Sequence, residues 1–142
     1  MPVNVLVISH GDFAQGLVNA AEMITGPQEA LVAVGLRAGE SPESFAERLA
    51  AVWDTLDDQP TVVLVDMQGG TPGNVLATFF GKRPFYALAG VNLPVLLEIL
   101  LGRSYGDPDE LVSHALAVGR GAVLDLAAEF GRQFGDVAGR ND

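Results

Sequence analysis

Apolar residues fall into two kinds of run along this chain, and the two kinds alternate. Val3–Ile8, Leu31–Leu36, Thr61–Val65 and Phe85–Ala89 are short and nearly continuously aliphatic. Such runs predict strands buried on both faces. Between them, apolar positions recur at helical spacing. Phe13, Leu17, Ala20 and Ile24 make one helical face, with Asp12 as its expected N-cap and Gly26-Pro27 as its stop. Phe45, Leu49, Val52, Trp53 and Leu56 make a second face. Ser41-Pro42-Glu43 opens it with a capping hydroxyl, a proline at the first helical position and an acid near the positive end of the dipole. A third helix is predicted from about Pro72 to Phe80. A fourth, apolar nearly all round, covers Leu93–Leu101, and a fifth starts at Asp107-Pro108-Asp109-Glu110. "AVLDL" at 122–126 fits helix or strand equally well by period. The closing "GRQFGDVAGRND" is glycine-rich and polar, as in a flexible tail.

Strict alternation of strand and helix implies one α/β domain, a mostly parallel open sheet with helices on both faces. Residues 1–126 read as this domain and 127–142 as the C-terminal tail. The helix at 93–101 carries more apolar surface than a small domain needs to bury on itself. That points to a subunit interface, the plain alternative being a buried helix.

Composition narrows the function. With 49% apolar residues among 142, the chain has a substantial core. Eight basic against eighteen acidic side chains give a net charge of −10, which argues against nucleic acid and anionic membranes, both bound through basic patches. The absence of cysteine excludes disulfides and thiol nucleophiles and fits a reducing compartment. The start "MPVNVLVIS" has neither the basic region nor the cleavage site of a signal peptide, and "VNLPVLLEILLG" is too short to span a bilayer and contains Glu98.

In open α/β sheets, ligands bind beyond the carboxyl ends of the strands. The unusual residues of this chain lie there: Ser9-His10-Gly11-Asp12 after the first strand and "DMQGGTPGN" after the third. Imidazole is a nucleophile near neutral pH, and one of its nitrogens can carry a phosphoryl group while a carboxylate fixes the proton on the other. His10 is the candidate nucleophile and Asp66 its partner. Gly69 and Gly70 let backbone approach a ligand, and the Thr71 hydroxyl with free N–H groups at the next helix start could hold an anion. Ser9 and Gly11, beside His10, complete the candidate phosphate-binding set. His114, mid-helix and without such company, reads as structural or solvated. A metal site of His10, Asp12 and Asp66 is weak without a second imidazole. No acidic pair of a receiver domain, G-x-G-x-x-G, P-loop or G-x-S-x-G is present in the expected places.

"SHGDFAQGLVNAAEMITG", "GES", "VDMQGGTPGN" and "GVNLPVLLEIL", in this order, resemble the mannose/fructose/sorbose-type EIIA domain of the bacterial phosphoenolpyruvate-dependent sugar phosphotransferase system (PTS). The resemblance runs from about residue 3 to 126. It implies that His10 takes a phosphoryl group from HPr and passes it to a separate EIIB protein, with Asp66 paired to the histidine and Thr71 beside the phosphate. It implies no cofactor, a cytoplasmic location, no membrane insertion, and a homodimer that exchanges an antiparallel edge strand, here near 122–126. After Pro72 the family often has an aromatic or apolar residue; this chain has Gly73. Two alternatives are a regulatory EIIA-like module, whose His10 phosphorylation controls partner binding without transport, and, third, a phosphoryl donor for a dihydroxyacetone kinase.

Overall fold

The predicted alternation is the architecture of the computed structural model, which describes residues 2–135. Four strands, β1 (Asn4–His10), β2 (Leu31–Leu36), β3 (Thr61–Val65) and β4 (Tyr86–Ala89), form one sheet in the order β2-β1-β3-β4. Every pair is parallel. Six helices accompany it: α1 (Phe13–Thr25), α2 (Pro42–Trp53), α3 (Thr71–Phe79), α4 (Leu93–Gly102), α5 (Pro108–Gly121) and α6 (Leu126–Phe134).

Successive strand residues point to opposite faces, so each aliphatic run serves two cores. On one face Val5, Val7, Val62 and Leu64 meet Ala14, Val18 and Ala21 of α1 and Leu96 and Ile99 of α4. On the other, Leu6, Ile8, Val63 and Val65 meet Phe45, Leu49 and Trp53 of α2 and Val75, Leu76 and Phe79 of α3. Each fully buried Val, Leu, Ile or Phe among them contributes about 1.5–3 kcal/mol. The apolar helix α4 is a buried helix in the single chain: Val95, Leu96, Ile99 and Leu100 are inside, and α5 joins them through Leu111 and Ala115.

Helix starts follow local chemistry. Ser41 Oγ accepts from Ser44 N (3.1 Å), Asn92 Oδ1 from Val95 N (3.0 Å) and Asp125 Oδ1 from Ala128 N (3.0 Å). At α1 the expected cap is corrected: Asp12 stands at the cap position but makes no side-chain cap hydrogen bond. Ser9 Oγ reaches over and accepts from Ala14 N at 2.8 Å instead. The reason is conformational. Asp12 has φ −89° and ψ 7°, not the extended backbone that swings a capping carboxylate over the helix end.

Among the described residues there is no antiparallel strand: 122–125 pair with no strand, and Leu126 opens α6 under the Asp125 cap. A strand exchanged between subunits forms only where the second subunit supplies the ladder. Residues 127–134, placed in the tail by the sequence reading, are helical; the remainder of that tail after residue 135 lies outside the described residues.

At the end of the sheet away from the strand tips, Arg103 is 6% exposed. Its guanidinium donates to the carbonyls of Val3 and Ala30 (both 3.1 Å), to Gln28 Oε1 (3.0 Å) and to the Glu29 carbonyl. These bonds hold Ala30, a non-glycine residue at φ 52°, a conformation that costs roughly 1–2 kcal/mol. Burial pushes the guanidinium pKa down, and the nearby Glu29 acts against that. Arg103→Ala would strand several carbonyls away from water. The expected result is a loss of about 2–4 kcal/mol in urea unfolding with the fold retained; an unchanged midpoint would show that water replaces the guanidinium there.

Candidate functional site

The strand order reverses between β1 and β3. From β1 the chain leaves through α1 on one face, and from β3 through α3 on the other. A crevice opens at such a switch point, beyond the carboxyl ends of the two strands. His10 ends β1, and Asp66 follows β3 directly.

Asp66 Oδ2 accepts two hydrogen bonds from one residue: the His10 backbone N–H at 2.9 Å and His10 Nδ1 at 2.7 Å. Asp66 Oδ1 accepts from Met67 N at 2.8 Å. Burial alone would raise the Asp66 pKa; the bonds from the His10 amide, the His10 ring and the Met67 amide outweigh it and lower the pKa. An ionised carboxylate only accepts. The proton of a neutral imidazole therefore sits on Nδ1, an assignment made from chemistry, and Nε2 keeps its lone pair. The His10 side chain is 47% exposed and that of Asp66 14%.

The free edge of the ring faces Gly70. A Cβ at that position would lie 2.4 Å from His10 Cε1 and 2.9 Å from Nε2. Gly70 is also the N-cap of α3, and no side chain caps that helix. Backbone N–H groups and the positive end of the dipole are thus open to an anion beside Nε2. Thr71 is the first residue of α3, and among the described residues its hydroxyl has no protein hydrogen-bond partner. Gly69, at φ 92°, makes the turn before it, and Gly11, at φ 52°, makes the turn after His10 and bonds through its N–H to Leu36 O at 2.8 Å.

The structure therefore brings His10, Asp66 and Gly70 into direct contact, with Gly11, Gly69 and Thr71 beside them in the chain. Ser9 differs from its expected part. It is fully buried, and its hydroxyl is occupied by the Ala14 amide and the His10 carbonyl (3.0 Å). It holds the loop and α1 in place and has no surface with which to touch a ligand. His114 is remote from this crevice and pairs with Glu98 at 3.2 Å on an exposed face. Among the described residues no three His, Asp or Glu side chains converge as metal ligands would.

The profile of the family described as "PTS system fructose IIA component" matches residues 4–116. The chain belongs to the EIIA family of the mannose, fructose and sorbose phosphotransferase systems. It is 34% identical over 118 residues to the PTS system fructose-specific EIIA component of Bacillus subtilis, covering 82% of this chain and 81% of that protein. It is 36% identical over 133 residues to the PTS system mannose-specific EIIAB component of Escherichia coli, covering 91% of this chain but only 41% of that protein. The mannose/sorbose specific IIA subunit from Enterococcus faecalis superposes with a TM-score of 0.80 at 30% identity, over 87% of this chain and 94% of that one. Among the described residues of this EIIA chain, no single helix is long and apolar enough to cross a membrane.

Gly70→Ala tests the ring packing. The substitution is expected to keep the fold but drive the imidazole off Asp66, so that ¹⁵N NMR finds a single Nδ1–H tautomer in the wild type and a mixture in the variant. An unchanged spectrum would show that the 68–71 loop yields instead.

Proposed function

We propose that this chain is the phosphoryl carrier of a sugar phosphotransferase system, taking the group on His10 Nε2 from phospho-HPr and passing it to an EIIB component. The observation that carries the reading is a half-exposed imidazole pinned through Nδ1, with Nε2 set against the uncapped start of α3. The Nε2 lone pair attacks phosphorus on the donor's phosphohistidine. The new N–P bond forms as the donor's breaks, and the donor imidazole leaves with the electron pair. No net proton moves. The receiving ring then has both nitrogens substituted and carries positive charge, which the Asp66 carboxylate offsets. Gly11, Gly69, Gly70 and Thr71 are the proposed phosphate contacts, with α3 supplying N–H groups. The reading carries with it a cytoplasmic location.

It also includes a homodimer. β4 is an edge strand, and cavities of about 330 and 310 Å³ flank it. The first is lined in part by Met67, Gly73 and Ala87, the second by Val91, Leu116 and Val123. A strand laid along β4 would send alternate side chains into both. The segment 122–126 has the sequence for this: Val123 is 84% exposed, Leu124 57% and Leu126 56%. An arm of that apolarity needs a cover, and the partner's β4 edge supports that assignment.

With phosphoenolpyruvate, Enzyme I and HPr, the protein is expected to take up acid-labile, base-stable phosphate. His10→Ala should abolish the label, His114→Ala should keep it, and Asp66→Asn should slow uptake by a factor on the order of a hundred. Label surviving in His10→Ala would end the reading. Light scattering is expected to find a dimer for the wild type and a monomer for Leu124→Asp; a monomeric wild type removes the arm from the proposal.

A further inference from the structure

We propose that Glu40 and Arg48 are positioning residues for His10: they clamp the end of β2 against Gly11 and so hold the imidazole in its transfer geometry. The inference rests on the phosphocarrier reading above.

Arg48, in the second turn of α2, binds Glu40 in two-pronged fashion, Nε to Oε2 and Nη2 to Oε1, both at 2.8 Å. Glu40 also accepts from Ser44 Oγ (2.8 Å) and Arg37 N (3.0 Å). The hydrogen bonds from Arg48, then from the Arg37 amide, hold its carboxyl well below the usual carboxylate range. Its side chain is only 5% exposed. An exposed ion pair contributes little, but this one is shielded and fully hydrogen-bonded, with geometry that a lysine could not copy.

The pair does more than brace its own loop. Arg48 Nη2 also donates to Gly35 O, inside β2. Gly35 is the register partner of Ser9, and Leu36 that of His10. At Gly35 the strand is pressed onto the His10 turn: a Cβ there would lie 2.0 Å from Gly11 O. One residue on, Leu36 O receives the Gly11 N–H at 2.8 Å. The route from Arg48 to His10 is therefore made of direct contacts: guanidinium to Gly35, Gly35 against Gly11, Gly11 next to the imidazole residue. Asp66 fixes the ring from the β3 side, and this clamp fixes its backbone from the β2 side. A nucleophile that must meet a phosphorus on another protein gains rate from such fixing, and a displacement near 1 Å can cost roughly a hundredfold.

The test compares Arg48→Lys with Arg83→Lys in the full chain. Lysine at 48 keeps the charge beside Glu40 but cannot reach both its oxygens and Gly35 O. Arg83 pairs with Asp54 at 2.9 Å and stacks on Trp53, so it controls for a generic loss of stability. Arg48→Lys is expected to lower the maximal rate of phosphoryl uptake per folded molecule by roughly tenfold or more, with little change in donor KM. The ¹⁵N spectrum of His10 should lose its single Nδ1–H tautomer. Arg83→Lys should leave both at wild-type values. A lowered Tm in Arg48→Lys with a wild-type rate and His10 spectrum would overturn the inference and leave a loop brace. If the wild type takes up no phosphate at all, the phosphocarrier reading fails, and the spectrum alone decides whether Arg48 positions His10.

Discussion

One carboxylate oxygen, Asp66 Oδ2, takes both hydrogen bonds that His10 can offer inward. The backbone N–H bond sets where the end of β1 lies relative to β3. The ring bond sets the plane and tautomer of the imidazole. Together they leave Nε2 as the only ring nitrogen with a lone pair, and they turn it toward the start of α3. The other features of the site follow from this. Gly70 has to lack a side chain because the pinned ring already occupies that space. Ser9 has to be internal because the turn behind the ring needs a partner for the Ala14 amide. Asp66 has to stay ionised, and three hydrogen bonds keep it so against its partial burial.

A chain of net charge −10 might look unsuited to holding a phosphoryl group. Distance decides the matter. At physiological salt the Debye length is about 8 Å, so acidic residues scattered over the surface are largely screened at the crevice. A helix N-terminus carries the equivalent of roughly half a positive charge and acts at contact range. The two helix starts near His10 are unequal in this respect. At α1, Ser9 already occupies an amide and Asp12 stands at the cap, whereas α3 starts on bare glycine. On the proposed reading, the net charge bears on which partners approach, and the uncapped start of α3 bears on what is held.

The strands and their order of succession were legible because β1 and β3 are uninterrupted aliphatic runs, which only a strand covered on both sides requires. Their sorting into two cores follows from the period of two. His10 and Asp66 were legible as a pair because each closes such a run. Other features needed the third dimension. The glycine of the third loop read as room for a ligand, while the structure puts Gly70 against the imidazole itself. Asp12 read as a cap by its type, but its backbone angles hand the task to Ser9. Nothing in the sequence ties Glu40 to Arg48, eight positions apart; what joins them to the site is Gly35, which belongs to another element. Around 122–126, period alone could not choose between helix and strand, because five residues are too few to separate the two periods.

Three glycines near the site show how fold and partner constraints separate. At Gly35 an added Cβ would meet Gly11 O at 2.0 Å, and at Gly70 it would meet the imidazole at 2.4 Å. Backbone in one case and a pinned ring in the other leave no room, so the fold itself demands glycine. Gly73 is different. Its Cβ would sit 3.4 Å from Met67 O and 3.7 Å from Val65 Cγ1, close to ordinary contact, in a helix where alanine is intrinsically better by up to about 1 kcal/mol. Neither packing nor backbone conformation requires a glycine at 73. What its absence of side chain does is keep open the cavity of about 330 Å³ between α3 and β4, one turn of helix from the His10 ring. The smallness of residue 73 is thus a property of the surface and not of the core, and it belongs with whatever that surface meets.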